Sequence, residues 1–130
     1  MSRRLFILGS TGSIGCNAVE VVQHLRLLDG KDSWPVVGLA AGSNAALLAR
    51  QATALNVEAV SLAKDSKNTF PNGYSTAEEL LKNHAKAGDL VLSAIVGFAG
   101  IPSVLTAIHC GCDIALANKE SLVAGGQIVI

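Results

Sequence analysis

Three features of the sequence predict an α/β fold built on a doubly wound parallel sheet. Short apolar runs alternate with segments of helical period from one end of the chain to the other. The runs are continuously apolar rather than alternating, as strands covered on both faces are. A glycine-rich turn, Gly9-Ser10-Thr11-Gly12-Ser13-Ile14-Gly15, joins the first run to the first helical segment, which is where such sheets carry a ligand turn.

The first run is Leu5 to Leu8, and Ile14, Ala18, Val21, Val22 and Leu25 follow it at helical spacing. Val36 to Ala41 forms the second run, after which Leu48, Ala52 and Leu55 mark a second helix. The third run, Ala59 to Ala63, gives way to an irregular stretch from Lys64 to Tyr74 whose Asn72-Gly73 pair reads as a surface turn. Glu78 and Lys82, four apart, suit the exposed face of a third helix. Leu90 to Val96 is the fourth run, and Pro102, a residue favoured in a first helical turn, opens a fourth helix marked by Leu105 and Ile108. Asp113 to Ala117 and Gln127 to Ile130 complete the runs, with a fifth helix between them. Right-handed crossovers turn this β-α alternation into one parallel sheet.

At 130 residues the chain is expected to form one domain around a single core. Ten Lys and Arg balance ten Asp and Glu, which leaves no electrostatic footprint for nucleic acid or an anionic membrane. Half the residues are apolar and 15% charged, the opposite of a disordered composition. Cys16, Cys110 and Cys112 are too few and too uneven for a disulfide framework, so a reducing, cytoplasmic setting is expected. The start, Met1-Ser2-Arg3-Arg4, runs straight into Leu5 to Gly9, much shorter than a secretory signal. Leu90 to Cys112 carries no charge and is long enough to reach the about 20 residues of a membrane span. Gly97, Gly100 and Pro102 divide it, however, into a strand, a turn and a helix. The chain also stops within an apolar run, Ile128-Val129-Ile130, as a piece of a longer protein would.

The glycine turn carries the clearest chemistry. Backbone N–H groups at a helix start, with the positive end of the helix dipole, hold a pyrophosphate if no side chain blocks its approach. Gly12 and Gly15 permit that approach and close helix-to-strand packing, while the hydroxyls of Thr11 and Ser13 offer phosphate donors and a helix cap. The spacing is G-x-x-G-x-x-G rather than the G-x-G-x-x-G fingerprint, and a plain tight turn capping a helix has the same composition. Its place after the first strand favours a Rossmann-type dinucleotide-binding domain.

The second strand ends Leu39-Ala40-Ala41-Gly42-Ser43-Asn44, without the acid that binds a free ribose 2′-hydroxyl in NAD sites. Ser43 and Asn44 donate instead to a 2′-phosphate, which favours NADP, and either also serves to cap the second helix. Directly after the fifth strand stand Asn118, Lys119 and Glu120, an amide, an ammonium and a carboxylate at the sheet's carboxyl edge; the same residues read equally as an Asn cap with a solvated Lys and Glu. Glu58, Asp89 and Asp113 fall at the amino ends of their strands, and Glu78 and Glu79 on an exposed helix, leaving Glu120 as the only well-placed carboxylate. No grouped carboxylates or histidines suggest a divalent-metal site. His24, His84 and His109 read as structural or solvated, and Cys110-Gly111-Cys112 as a helix end capped at Gly111 rather than a redox or zinc motif.

Gly9-Ser10-Thr11-Gly12-Ser13-Ile14-Gly15-Cys16, Ala41-Gly42-Ser43-Asn44 and Leu116-Ala117-Asn118-Lys119-Glu120-Ser121-Leu122-Val123 together resemble the 1-deoxy-D-xylulose 5-phosphate reductoisomerases. Ala94-Ile95-Val96-Gly97 with Ala99-Gly100 is similar to that family's fourth-strand turn. The likeness spans essentially all of the chain and implies the amino-terminal third of such an enzyme, residues 1–130 forming its NADPH-binding domain. It implies conversion of 1-deoxy-D-xylulose 5-phosphate to 2-C-methyl-D-erythritol 4-phosphate in the non-mevalonate route to isoprenoids, with NADPH and a divalent Mg or Mn ion. Thr11, Gly12, Ser13 and Ile14 would then hold the pyrophosphate region and Gly42, Ser43 and Asn44 the 2′-phosphate. Asn118 and Glu120 would hold the nicotinamide side, and Lys119 would reach the phosphosugar substrate. The resemblance places the metal ligands in a later domain, leaving these residues alone without catalysis, and implies a homodimeric parent. Several members carry a basic residue where Ser43 stands, which implies a weaker hold on the 2′-phosphate here. Two other readings fit the glycine turn: the cofactor domain of a semialdehyde-type or extended short-chain dehydrogenase, or a non-enzymatic nucleotide-sensing module. Tyr74 is followed four residues later by Glu78 rather than Lys, which argues against a short-chain dehydrogenase.

Overall fold

The computed structural model describes residues 3–65, 67–95 and 97–116. Five strands, β1 (Leu5–Leu8), β2 (Val36–Ala41), β3 (Ala59–Leu62), β4 (Leu90–Ser93) and β5 (Asp113–Leu116), form one sheet in the order β3-β2-β1-β4-β5. Every neighbouring pair is parallel. Four helices, α1 (Ser13–Asp29), α2 (Ala45–Leu55), α3 (Ala77–His84) and α4 (Ile101–His109), alternate with the strands, and a 3₁₀ turn at Gly97–Gly100 leads into α4. This is the doubly wound α/β sheet that the apolar runs predict; the run at Gln127 to Ile130 and the helix expected at Asn118 lie outside the described residues.

The chain steps outward from β1 through β2 to β3, then crosses back to β4 and on to β5. Right-handed crossovers place α1 and α2 on one face and α3 and α4 on the other. Leu5 and Ile7 of β1 pack with Val19, Val22, Leu48 and Leu55, whereas Phe6 and Leu8 pack with Leu80, Leu81, Val104 and Ala107. Each β1 side chain is at most 2% exposed, the physical reason this strand is apolar at every position.

Each helix has a local cause for its limits. The Asn44 side chain accepts a 3.2 Å hydrogen bond from the Leu47 N–H and starts α2. The Thr76 hydroxyl accepts from the Glu79 N–H at 3.1 Å, and the Glu79 carboxylate accepts in turn from Ser75, a cap that fixes the start of α3. Pro102 occupies the first turn of α4, where its missing N–H costs nothing. The α1 terminus is tied by Arg26, whose guanidinium donates to the carbonyls of Ser33, Trp34 and Leu55 and so joins α1 to the end of α2.

The stretch between β3 and α3 is ordered by its own hydrogen bonds. Asp65 accepts from the Thr69 and Phe70 N–H groups at 2.7 and 2.8 Å, Phe70 packs on the α1 and α2 core, and Tyr74 pairs with Ser61 beside β3. At the amino edge of the sheet, Arg4 pairs with the buried Asp89 at 3.4 Å and donates to the His84 carbonyl, while Arg3 pairs with Asp113. Asp89 and Asp113 therefore stand at strand starts, on the edge their positions predict.

Several details differ from the sequence reading. The buried stripe of α4 is Ser103, Val104 and Ala107, and Leu105 and Ile108 are 52% and 42% exposed. Both pairs have the same i, i+3 spacing, and the smaller side chains win the place against α3 and the sheet. In α1 the buried positions are Gly15, Val19 and Val22, whereas Ile14 and Val21 face outward. β4 ends at Ser93 and β3 at Leu62, short of the full apolar runs. The cap of α4 is Cys110 rather than Gly111, which follows it in a left-handed conformation. The uncharged stretch from Leu90 divides into strand, turn and helix, and among the described residues no helix is long and apolar enough to cross a membrane.

Leu80→Ala removes a fully buried side chain and should lower unfolding free energy by roughly 2–5 kcal/mol in urea titration, against a change within about 0.5 kcal/mol for Leu27→Ala, which is 84% exposed. The N–H bond from Phe70, with that from Thr69, holds the Asp65 carboxyl below its ordinary value. Its stabilisation is present above the unfolded value of about 4 and is lost as pH falls through the folded one. Asp65→Asn should flatten the pH dependence of the urea midpoint in that acid range, measured beside the parent chain.

Candidate functional site

The topology fixes where a ligand can sit. Neighbouring β1 and β4 send their chains to opposite sides, one into α1 and the other toward α4, and this switch point opens a crevice at the carboxyl edge. A cleft of about 440 Å³ lies there, lined among others by Gly9, Thr11, Gly12, Gly42, Glu78 and Ile95, a size suited to part of a small-molecule ligand. Its remaining wall is largely alanine, from Ala40, Ala41, Ala63, Ala94 and Ala99.

The glycines of the turn divide into two kinds. Gly9 has a φ of +80°, and a Cβ on it would lie 2.7 Å from the Ala94 carbonyl group. A Cβ on Gly15 would collide with the Gly9 carbonyl oxygen and stand 2.6 Å from Ser10 Cα. These two let α1 and β4 close on the end of β1. Gly12 is different: a Cβ there would meet nothing nearer than 3.6 Å, and one on Gly42 nothing within 4 Å. The fold leaves space at these two cleft-lining positions, and a side chain would fill it.

The turn is anchored from below. The Gly9 and Ser10 N–H groups donate to the Ala40 carbonyl at 2.8 and 3.0 Å, and the Cys16 N–H to that of Gly12 at 2.8 Å. The N–H groups of Ser13, Ile14 and Gly15, first in α1, have no intrahelical acceptor and carry the positive end of the helix dipole. No acidic side chain occupies that first turn. Gly12 is the cap residue of α1 and no side chain caps it, which corrects the expectation that Thr11 or Ser13 does so.

Of the residues singled out in the sequence, the structure brings Thr11, Gly12 and Gly42 together around the cleft. Ser13 is exposed at the head of α1, and Ile14 lines not the cleft but a second groove, with Leu92, Ala115 and Ala94, the last of which also lines the cleft. Ser43 and Asn44 are exposed before α2, with Asn44 serving as its cap. Asn118, Lys119 and Glu120 lie outside the described residues. Among these residues Glu78 corrects the reading of α3 as a merely exposed helix: it is half-buried and lines the cleft, so a carboxylate other than Glu120 stands at the carboxyl edge. The signal was present in the topology, since a helix that follows a parallel strand begins at that strand's carboxyl end. Gln51 was also missed; it is 5% exposed and its amide donates 2.8 Å to the Ser10 carbonyl beneath the turn. A polar residue within the Leu48, Gln51, Leu55 stripe was the available sign.

Other reactive groups are held away from this chemistry. Burial, reinforced by the Asp89 carboxylate, pushes the Cys112 thiol up to about 11, so it stays protonated at neutral pH. His84 meets the Tyr74 hydroxyl at 2.9 Å. Among the described residues no three His, Cys, Asp or Glu side chains gather where they could hold a metal ion.

The sheet order and the glycine turn at its switch point define a doubly wound domain of the Rossmann type. The chain matches the family model described as 1-deoxy-D-xylulose 5-phosphate reductoisomerase over residues 5–126, and it belongs to that family. The reductoisomerase of Synechocystis sp. is 40% identical over 143 residues, covering all of this chain and 35% of the relative. The structure of the Zymomonas mobilis reductoisomerase in complex with NADPH superposes with a TM-score of 0.79 at 32% identity, covering 98% of this chain and 35% of that one. A further reductoisomerase structure, in complex with NADPH, fosmidomycin and magnesium, gives a TM-score of 0.71 at 29% identity over 93% of this chain and 31% of its own. The chain thus spans about a third of the length of the relatives it matches.

The two kinds of glycine predict opposite responses to one methyl group. Gly15→Ala forces backbone against backbone and should cost about 3 kcal/mol or more of stability. Gly12→Ala should stay within about 1 kcal/mol of the parent in the same denaturation measurement, because its Cβ points into open space.

Proposed function

We propose that residues 1–130 form the NADPH-binding domain of a reductoisomerase that converts 1-deoxy-D-xylulose 5-phosphate to 2-C-methyl-D-erythritol 4-phosphate in the non-mevalonate isoprenoid route. The observation that carries this reading is the open space at Gly12 and Gly42 on one cleft, beside a helix start whose first N–H groups have no intrahelical acceptor and whose first turn holds no acid. Those features suit a dinucleotide phosphate that approaches backbone directly. Bound NADPH supplies a hydride donor.

In this reading the Thr11 hydroxyl and the backbone N–H groups of Ser13 and Ile14 bind the pyrophosphate, and Gly12, whose own N–H donates to the Gly9 carbonyl at 3.2 Å, leaves the space for it. Gly42, Ser43 and Asn44 hold the adenosine 2′-phosphate, Gly42 by leaving room for it and Ser43 and Asn44 by donating to it. Asn118 and Glu120 orient the nicotinamide end, and Lys119 reaches the phosphosugar. Among the described residues no group of His, Cys, Asp or Glu side chains could hold a divalent ion. The family resemblance assigns those ligands to the larger remaining part of the relatives, together with the homodimer contacts. These 130 residues are then expected to bind cofactor in the cytosol, without nucleic acid or membrane partners, and not to turn over substrate by themselves.

Calorimetric titration of this chain with NADPH and with NADH tests the reading. One-site binding that prefers NADPH is the expected result, and Ser43→Asp should weaken NADPH about tenfold or more by like-charge repulsion while sparing NADH. Equal loss of both would put the 2′-phosphate elsewhere. Tighter binding of ADP than of NADPH would favour a nucleotide-sensing module, and turnover of 1-deoxy-D-xylulose 5-phosphate by this chain alone would overturn the division of labour.

A further inference from the structure

Beneath the glycine turn lies a small polar cluster in an otherwise apolar interface. Gln51, on the buried face of α2, donates from Nε2 to the Ser10 carbonyl at 2.8 Å and approaches Cys16 Sγ at 3.8 Å. The Cys16 thiol donates in turn to the Thr11 carbonyl at 3.6 Å. Both Gln51 and Ser10 are buried, at 5% and 0% exposure, and the Gln51 Oε1 and Ser10 Oγ atoms have no hydrogen-bond partner among the described residues. A buried amide with one end unsatisfied is costly, so a leucine at this site would serve packing better. The amide's remaining contribution is geometric: it clasps the backbone one residue before Thr11, at the turn that opens α1.

The same helix begins at Asn44, so α2 carries at its head the residues proposed to meet the 2′-phosphate and on its flank the side chain that holds the turn. We infer that Gln51 is a positioning residue for the cofactor, locking the turn before α1 to α2 so that the N-termini of the two helices keep a fixed spacing. This inference rests on the dinucleotide reading above. Two phosphate sites on separate helices act as a pair only if their separation matches that of the ligand, and mismatch loses the advantage of binding both.

The test uses two ligands. NADPH would span both helix starts, whereas adenosine 2′-monophosphate carries the adenosine and its 2′-phosphate but no 5′-phosphate to reach the turn before α1. Gln51→Met keeps the side chain's length and removes the amide. In calorimetry of the folded chain, the variant should bind NADPH about tenfold more weakly, as the loss of one buried hydrogen bond permits, and bind adenosine 2′-monophosphate within about twofold of the parent. Should that variant fail to fold, Gln51→Asn, whose amide is one carbon too short for Ser10, replaces it. Unchanged NADPH affinity, or equal weakening of both ligands through a displaced α2, overturns the inference. A parent chain that binds neither ligand overturns the dinucleotide reading instead.

Discussion

The rest of the domain depends on how closely α1 approaches the end of β1. Gly15 rests against the Gly9 carbonyl and the Ser10 backbone with no room for a single carbon, and Gly9 itself is wedged against Ala94 and Ile95 at the end of β4. This three-way contact joins the first helix to the two central strands at the switch point. It sets the direction of α1, and with it the direction in which its first N–H groups point. Were α1 held away by a methyl group's width, the turn would lose its bonds to Ala40 and the helix would no longer begin at the mouth of the crevice.

Charge is distributed along the sheet in accord with that geometry. The amino edge holds the ion pairs, Arg4 with Asp89 and Arg3 with Asp113, which neutralise one another where strands begin. Among the described residues, the cleft at the carboxyl edge is walled chiefly by alanine and glycine, with Glu78 as the charged exception. On the α1 flank of this cleft an anion meets a helix start and backbone N–H groups with no acid in the first turn. Glu78 belongs to the side of the cleft contributed by α3, on the far side of the sheet from α1 and α2, so the cleft has one flank suited to phosphate and another suited to a hydrogen-bond donor.

Much of this could be read in the chain. Leu5 to Leu8 declares itself a doubly covered strand because no position can tolerate a polar group, and the glycine turn declares the strand-to-helix junction because only glycine fits Gly9 and Gly15. The less legible parts are those where two local patterns were equally good. In α4 the Val104 and Ala107 stripe and the Leu105 and Ile108 stripe have equal spacing, and only the space left by α3 chooses between them. At the cap of α1 the hydroxyls of Thr11 and Ser13 were attractive, yet the turn's path puts Gly12 at the cap. Gln51 escaped notice because a lone polar residue in an apolar stripe is ordinary in sequence, and its partner Ser10 is distant along the chain. The family likeness, carried by three separated segments, spoke for the cofactor more directly than any spacing did.

The central position of β1 also bears on how the chain acquires its fold. Its first neighbour, β2, follows after one helix, but its second, β4, pairs Leu5 with Leu90 after two further strands and helices have passed. Contacts of such long range must close large loops before any stabilisation is returned, which slows folding relative to a helical bundle of equal size. Until β4 arrives, β1, β2 and β3 form a half-sheet with one fully apolar edge strand exposed to other chains. During synthesis the most buried strand of the finished domain is therefore its most adhesive, and the segment from Leu5 to Leu8 is where a chaperone would be most needed.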